Sequence, residues 1–204
     1  MRAMRNGVRG ITLLELMVAL SVAAVILAIG APSFAEFRRN NRLTSAGNDF
    51  LAAIQVARTE AIKRQQPVAV CPTAAPENPG AGCSAGPFRS WLVFVDENNN
   101  CQREAGEERL RAEGPLSDAV EVRSNGVCIS FAATGFLQPQ TVTGQPTASR
   151  TIFCDERGIA AQDGTTLSAA RGVFVSPTGR SRVTRDITSG TLSTDLTRWG
   201  LGCP

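Results

Sequence analysis

Residues 7–31 read GVRGITLLELMVALSVAAVILAIGA, and the rest of the chain is best understood outward from this stretch. From Ile11 to Ala31 the run is mostly apolar, with Glu15 its one charge. About 20 such residues suffice for a helix to cross a ~30 Å hydrocarbon core. Arg2, Arg5 and Arg9 precede the run, and Arg38, Arg39 and Arg42 follow it. The nearer basic cluster, with no acid before Glu15, places the N-terminus on the cytoplasmic side. A cleaved secretory signal would carry a shorter apolar core ahead of its small-residue cut site. A carboxylate at the centre of a span costs roughly 2.5–3.5 kcal/mol, and less near an end. Glu15 therefore calls for a partner.

The 204 residues leave enough chain for one globular domain beyond the span. The formal charge is +3, and the three leader arginines account for all of it. Total charge thus says nothing about nucleic acid; only local clustering does. His and Tyr are absent, which removes the usual general base and the commonest metal ligand. Cys71, Cys83, Cys101, Cys128, Cys154 and Cys203 all follow the span, on its periplasmic side. An even count in an oxidising compartment points to disulfides, and no C-x-x-C spacing suggests zinc. The sequence does not choose among the possible connectivities. The working expectation is Cys71–Cys83 across a Pro/Gly-rich loop, Cys154–Cys203 holding the C-terminus, and Cys101–Cys128 as the remaining pair.

Helical character continues past the span, with a bend expected at Gly30-Ala31-Pro32. Phe34, Phe37, Leu43, Ala46, Phe50, Ile54, Ala57 and Ala61 form an apolar stripe at mostly helical spacing. The helix is expected over 11–65, with Pro67 as its stop. Thereafter the texture is β. Val68–Cys71, Ser90–Asp96, Glu108–Glu113, Ala119–Ser124, Val127–Ala132, Arg150–Asp155, Ile159–Ala161 and Gly172–Ser176 are the expected strands. Asn125-Gly126 predicts a short hairpin between the fourth and fifth. Residues 72–87 and 135–148 are expected loops.

Gly10-Ile11-Thr12-Leu13-Leu14-Glu15-Leu16-Met17-Val18 resembles the processing site of type IV pilins and type II secretion pseudopilins. The resemblance implies that a prepilin peptidase cuts after Gly10 and methylates the new N-terminus at Ile11, where the family usually has Phe. It also implies that Glu15 pairs with a neighbouring subunit's N-terminal amine during filament assembly. The tract Ala57–Arg64, the strand ending Val70-Cys71-Pro72, the segment Trp91–Asp96 and the segment Arg171–Arg180 resemble the GspH/FimT branch of that family. The fold implied is α+β, the type IV pilin fold: a long N-terminal helical spine carrying a mainly antiparallel β head. The expected organisation is a leader at 1–10, a transmembrane and filament-core half-helix at 11–31, an amphipathic half-helix at 32–66, and a periplasmic head at 67–204. The chain would sit in the bacterial inner membrane by a single pass and later in a pilus with other pilins.

Two segments carry candidate sites. Asp96, Asn98, Asn100 and Glu107 fall at calcium-loop positions, but Cys101 stands where the sharp turn needs Gly and the flanks are strand-like. That segment reads as a polar hairpin loop, and no metal or cofactor is assigned. Gly179-Arg180-Ser181-Arg182-Val183-Thr184-Arg185 is basic, and Arg171 adds a fourth guanidinium. Arg180 and Arg182, two apart on an extended segment, point the same way and can meet successive phosphates. The Gly-Arg-x-Arg pattern resembles the DNA-binding motif of FimT-type minor pilins. It nominates Gly179, Arg180 and Arg182, with Arg185 and Arg171 as helpers, for binding double-stranded DNA during natural transformation. The alternatives are a GspH-like pseudopilin of type II secretion or a FimU-like priming subunit without DNA binding. Without His, a G-x-S-x-G elbow or a P-loop, no constellation supports an enzyme.

Overall fold

The computed structural model describes residues 10–138, 150–159, 167–186 and 203. Its first element is α1 (Leu13–Arg64), and Pro32 lies inside that helix without ending it. Thr12 caps its start: its Oγ1 accepts the Glu15 N–H at 3.2 Å. Thr12 and Glu15 have the spacing of a capping box, and a carboxylate in the first turn suits the helix dipole. At the other end Gln65 takes a left-handed φ of 56°. Its side chain donates to the Ile62 carbonyl at 2.6 Å, and Pro67 follows.

The chain divides into two compact units after Arg39. In the first, residues 10–39 are exposed throughout, and their helix is long and apolar enough to cross a membrane. Phe34 and Phe37 do not begin the buried stripe. They are 61% and 57% exposed and stack on each other at 6.5 Å. The buried stripe lies wholly in the second unit: Leu43, Ala46, Gly47, Phe50, Ala53, Ile54, Ala57 and Ala61. Small residues fill most of it, so the helix backbone approaches the sheets closely.

Among its described residues the second unit holds two four-stranded antiparallel sheets. The first comprises β1 (Val68–Pro72), β2 (Trp91–Val95), β3 (Arg109–Glu113) and β5 (Ile129–Phe131), in the order β3-β2-β1-β5. The second comprises β4 (Glu121–Ser124), β6 (Arg150–Cys154), β7 (Leu167–Val175) and β8 (Ser181–Asp186), in the order β4-β6-β7-β8. Phe50 ties the helix to both. Its ring meets Trp91 edge-on at 5.1 Å and Phe153 at 5.6 Å. Each such aromatic pair adds about 0.5–1.5 kcal/mol beyond its buried area.

The disulfides lie on the sheet faces turned away from that core. Cys71–Cys83 and Cys101–Cys128 join a separate apolar cluster with Ala69, Leu92 and Phe94 on the first sheet. Cys154–Cys203 does the same beside Ile152 and Ala170 on the second. Burial on both faces explains why β1 and β2 read as continuous apolar runs, VAVCP and WLVFV, without alternation.

Two expectations about the strands also fail. The segments flanking Asn125-Gly126 are strands but do not form a hairpin. β4 pairs with β6 and β5 pairs with β1, so the chain changes sheets there. The Asn125 side chain instead accepts the Arg150 N–H at 3.0 Å, across to β6. Ile159 stands in a turn, not a strand. Residues 160–161 and most of the loop 135–148 lie outside the described residues.

Candidate nucleic-acid interface

The β7–β8 hairpin turns through Ser176-Pro177-Thr178-Gly179-Arg180. The Gly179 N–H donates to the Ser176 carbonyl at 2.8 Å, and the Ser176 N–H donates to the Arg180 carbonyl at 2.9 Å. Gly179 has φ 77°. This is the pattern of a type I turn closed by a left-handed residue, with Pro at its favoured second position. A Cβ on Gly179 would lie 2.2 Å from the Gly135 carbonyl oxygen and 2.9 Å from Arg58 Nε, so only glycine fits.

Arg58, on α1, fastens this turn from beneath. Its Nε donates to the Gly135 carbonyl at 3.0 Å and its Nη2 to the Thr178 carbonyl at 3.2 Å. The Leu137 N–H donates to the Pro177 carbonyl at 2.9 Å, linking the two turns that Arg58 holds. Gln55, three residues earlier on α1, donates to Ser181 Oγ at 2.6 Å.

On this frame Arg180 and Arg182 are exposed. Strand alternation turns Val183 toward the core and Arg182 outward. Arg182 lies 5.6 Å from the centroid of the Phe174 ring, its partner on β7. Arg185 is exposed too, but alternation places it with Ser181 and Val183, and its Nε donates to the Ser168 carbonyl at 3.3 Å. It does not share the face of Arg180 and Arg182.

Arg171 does not belong to the surface. It is 5% exposed, with Nε and Nη2 on Thr44 Oγ1 at 3.2 and 3.0 Å, and Nη1 on the carbonyls of Ala169 and Ala170. Burial, with smaller repulsions from Arg185 and Arg157, lowers its pKa to about 10. The side chain is a buried link between β7 and α1, out of reach of a phosphate.

The acidic loop between β2 and β3 also spends its charges inward. Buried Asp96 accepts the N–H of Asn100 at 2.9 Å on Oδ1 and of Cys101 at 3.1 Å on Oδ2. Glu107 accepts from the N–H of Glu97 and of Glu104, at 3.0 and 2.9 Å. Asn99 and Cys101 have φ 58° and 60°, the geometry that aims these amides at Asp96. Its own loop backbone thus occupies the two best-placed carboxylates. In the N-terminal unit, Gly10, Ile11 and Glu15 are exposed in sequence order ahead of and within the first turn of α1.

A family model described as type II transport protein GspH matches residues 46–179, and one described as the prokaryotic N-terminal methylation motif matches residues 5–31. The chain belongs to the GspH family. This GspH-family chain is a pilin- or pseudopilin-like subunit of type IV pilin fold, structural and not enzymatic. The family implies association with other pilins in a filament, and the apolar N-terminal helix marks a membrane-anchored subunit. Two crystal structures of the Pseudomonas aeruginosa (strain PAO1) type IV minor pilin FimU resemble it. One is 19% identical with TM-score 0.46, over 74% of this chain and 93% of that one. The other is 17% identical with TM-score 0.43, over 71% and 94%. No curated protein matches the sequence.

Sequence reading missed Arg58, Gln55 and the ring of Phe174 as parts of the GspH-family head's basic corner. Phe174 was within reach, since it alternates with inward Val173 and Val175. Arg58 was not. Its acceptors lie 77 and 120 residues away, and nothing local announces them.

Proposed function

We propose that this chain is a FimT-like minor pilin whose periplasmic head binds extracellular double-stranded DNA for natural transformation. The hairpin tip carries the reading. Arg180 and Arg182 are exposed beside a turn that Gly179 and Arg58 hold in place. Two residues of extended chain separate them by about 6–7 Å, a spacing suited to successive phosphates. Phosphate contacts carry no base information, so binding is expected to ignore sequence.

The methylation-motif match supports the rest of the proposal. The prepilin peptidase removes residues 1–10 and methylates Ile11. Residues 11–31 anchor the subunit in the inner membrane and then enter the filament core, where Glu15 meets the N-terminal amine of a neighbour. Residues 32–66 and 67–204 form the amphipathic half-helix and the head.

The test uses the full chain in a non-ionic detergent, titrated with duplex DNA at several salt concentrations. The expected result is salt-dependent binding whose log–log slope loses about 1.8 in the Arg180→Gln/Arg182→Gln double variant, about 0.9 per phosphate. Absent binding, or a double variant with the wild-type slope, overturns it. The matched family's description as a type II transport protein favours a second reading. There the head is a pseudopilin, the same arginines contact a neighbouring subunit, and no DNA binds.

A further inference from the structure

Two turns of the head are built alike and lie side by side. One is the hairpin turn Ser176-Pro177-Thr178-Gly179-Arg180, and the other is Ala132-Ala133-Thr134-Gly135-Phe136. In the second turn the Gly135 N–H donates to the Ala132 carbonyl at 2.8 Å and the Ala132 N–H to the Phe136 carbonyl at 3.0 Å, the same two bonds that close the first. The glycines match as well, with φ 76° at Gly135 and 77° at Gly179. A Cβ on Gly135 would lie 2.6 Å from Ile62 Cδ1, and one on Gly179 2.2 Å from the Gly135 carbonyl oxygen, so the two turns touch each other. Arg58 donates to both. At the equivalent position after each glycine one side chain is exposed: Arg180 in the first turn and Phe136, at 56%, in the second. A single exposed ring needs no explanation by itself. A ring fixed beside an exposed guanidinium does, because the pair matches the two halves of a nucleotide, base and phosphate.

We propose that Phe136 is a base-stacking residue, and that the paired turns bind single-stranded DNA with a base on the Phe136 ring and a phosphate on Arg180. Every base has a π face, so stacking tolerates any sequence, as the phosphate contact does. In an intact duplex those faces are already stacked on one another. Phe136 therefore engages only unpaired nucleotides, at frayed ends or in single-stranded stretches. Arg180 and Arg182 serve both forms of DNA, and Phe136 tells them apart. The frame suits this work: the ring and the guanidinium follow directly on two glycines in contact, and Arg58 holds both turns from α1. Little ordering is left to be done when the ligand arrives. The inference rests on the proposed DNA binding at Arg180 and Arg182.

The experiment measures binding of oligo(dT) and of a duplex of equal length by the full chain in non-ionic detergent. It compares wild type, Phe136→Ala and Phe136→Trp. Phe136→Ala is expected to weaken oligo(dT) binding about 5- to 150-fold, the range for losing one stacked base, while duplex affinity stays at the wild-type value. Its salt slope for oligo(dT) should not change, since no phosphate contact is lost. Phe136→Trp should keep oligo(dT) affinity, and its added indole fluorescence should be quenched by oligo(dT) and not by the duplex. Phe136→Ala with wild-type affinity for oligo(dT) overturns this inference and leaves the Arg180–Arg182 reading standing. Equal weakening toward both forms of DNA also overturns it, since that marks a role in holding the turns and not a stacked base. A wild type that binds neither form overturns both.

Discussion

Two hairpin loops in the head carry dense charge and treat it in opposite ways. The β2–β3 loop, residues 96–108, folds Asp96 and Glu107 onto its own backbone amides. The β7–β8 loop uses Ser176, Pro177 and Gly179 for its turn and leaves Arg180 and Arg182 outside. A carboxylate accepts hydrogen bonds, and a turn offers N–H groups, so acidic loops readily consume their own charge. A guanidinium only donates, and must find carbonyls elsewhere. Arg58 and Arg171 have found them; Arg180 and Arg182 stand exposed. Charge density alone therefore does not mark a site. What matters is whether the loop's own backbone can absorb the charge.

The contrast breaks most sharply at Gly179. Gly179→Ala adds a left-handed φ penalty of about 1–2 kcal/mol and an overlap with the Gly135 carbonyl and Arg58. A total loss of about 3 kcal/mol is expected in denaturant unfolding, together with weaker DNA binding, because the arginines lose their frame. A variant as stable as wild type would show that the turn is not built as described.

Asp96→Ala should act on stability alone. It leaves the Cys101 amide without its acceptor and the Asn100 amide with Asn98 Oδ1 alone, at a cost of about 2 kcal/mol. DNA affinity should not move. A shift in affinity would mean that the acidic loop takes part in the site after all.

Much of this was legible in the sequence. The helix followed from apolar spacing and a terminal proline, and seven of the eight strands among the described residues overlap expected β runs, β7 only in its second half. The eighth, β8, fell inside a segment grouped by its charge. Sheet membership was less accessible. Asn125-Gly126 is a sound turn signal, but a turn can deliver the chain to a second sheet as well as to its neighbour. Arg171 shows a different lapse. It shares the parity of Val173 and Val175, so period-two alternation already turned it inward. Counting it with a charge cluster overrode the stronger physical signal. Arg58 had no signal to override, since its partners are distant turns.

The smallest expected difference between the loops is a pH dependence. Burial raises the pKa of Asp96, against the N–H donations from Cys101 and Asn100, and the nearby Glu107 carboxylate pushes the same way as burial. A carboxyl with a raised folded-state pKa stabilises the fold most below the ordinary carboxylate range, near 4, and that contribution is lost as pH rises through the folded value. Wild type measured against Asp96→Asn isolates it, because Asn does not titrate. The difference in unfolding free energy, wild type minus variant, should fall as pH rises from below about 4 toward neutrality. A difference that rises over that window would mean the amide donations outweigh burial. The loop would then prefer an ionised Asp96, and its charge would be held for the same reason an N-cap carboxylate is held.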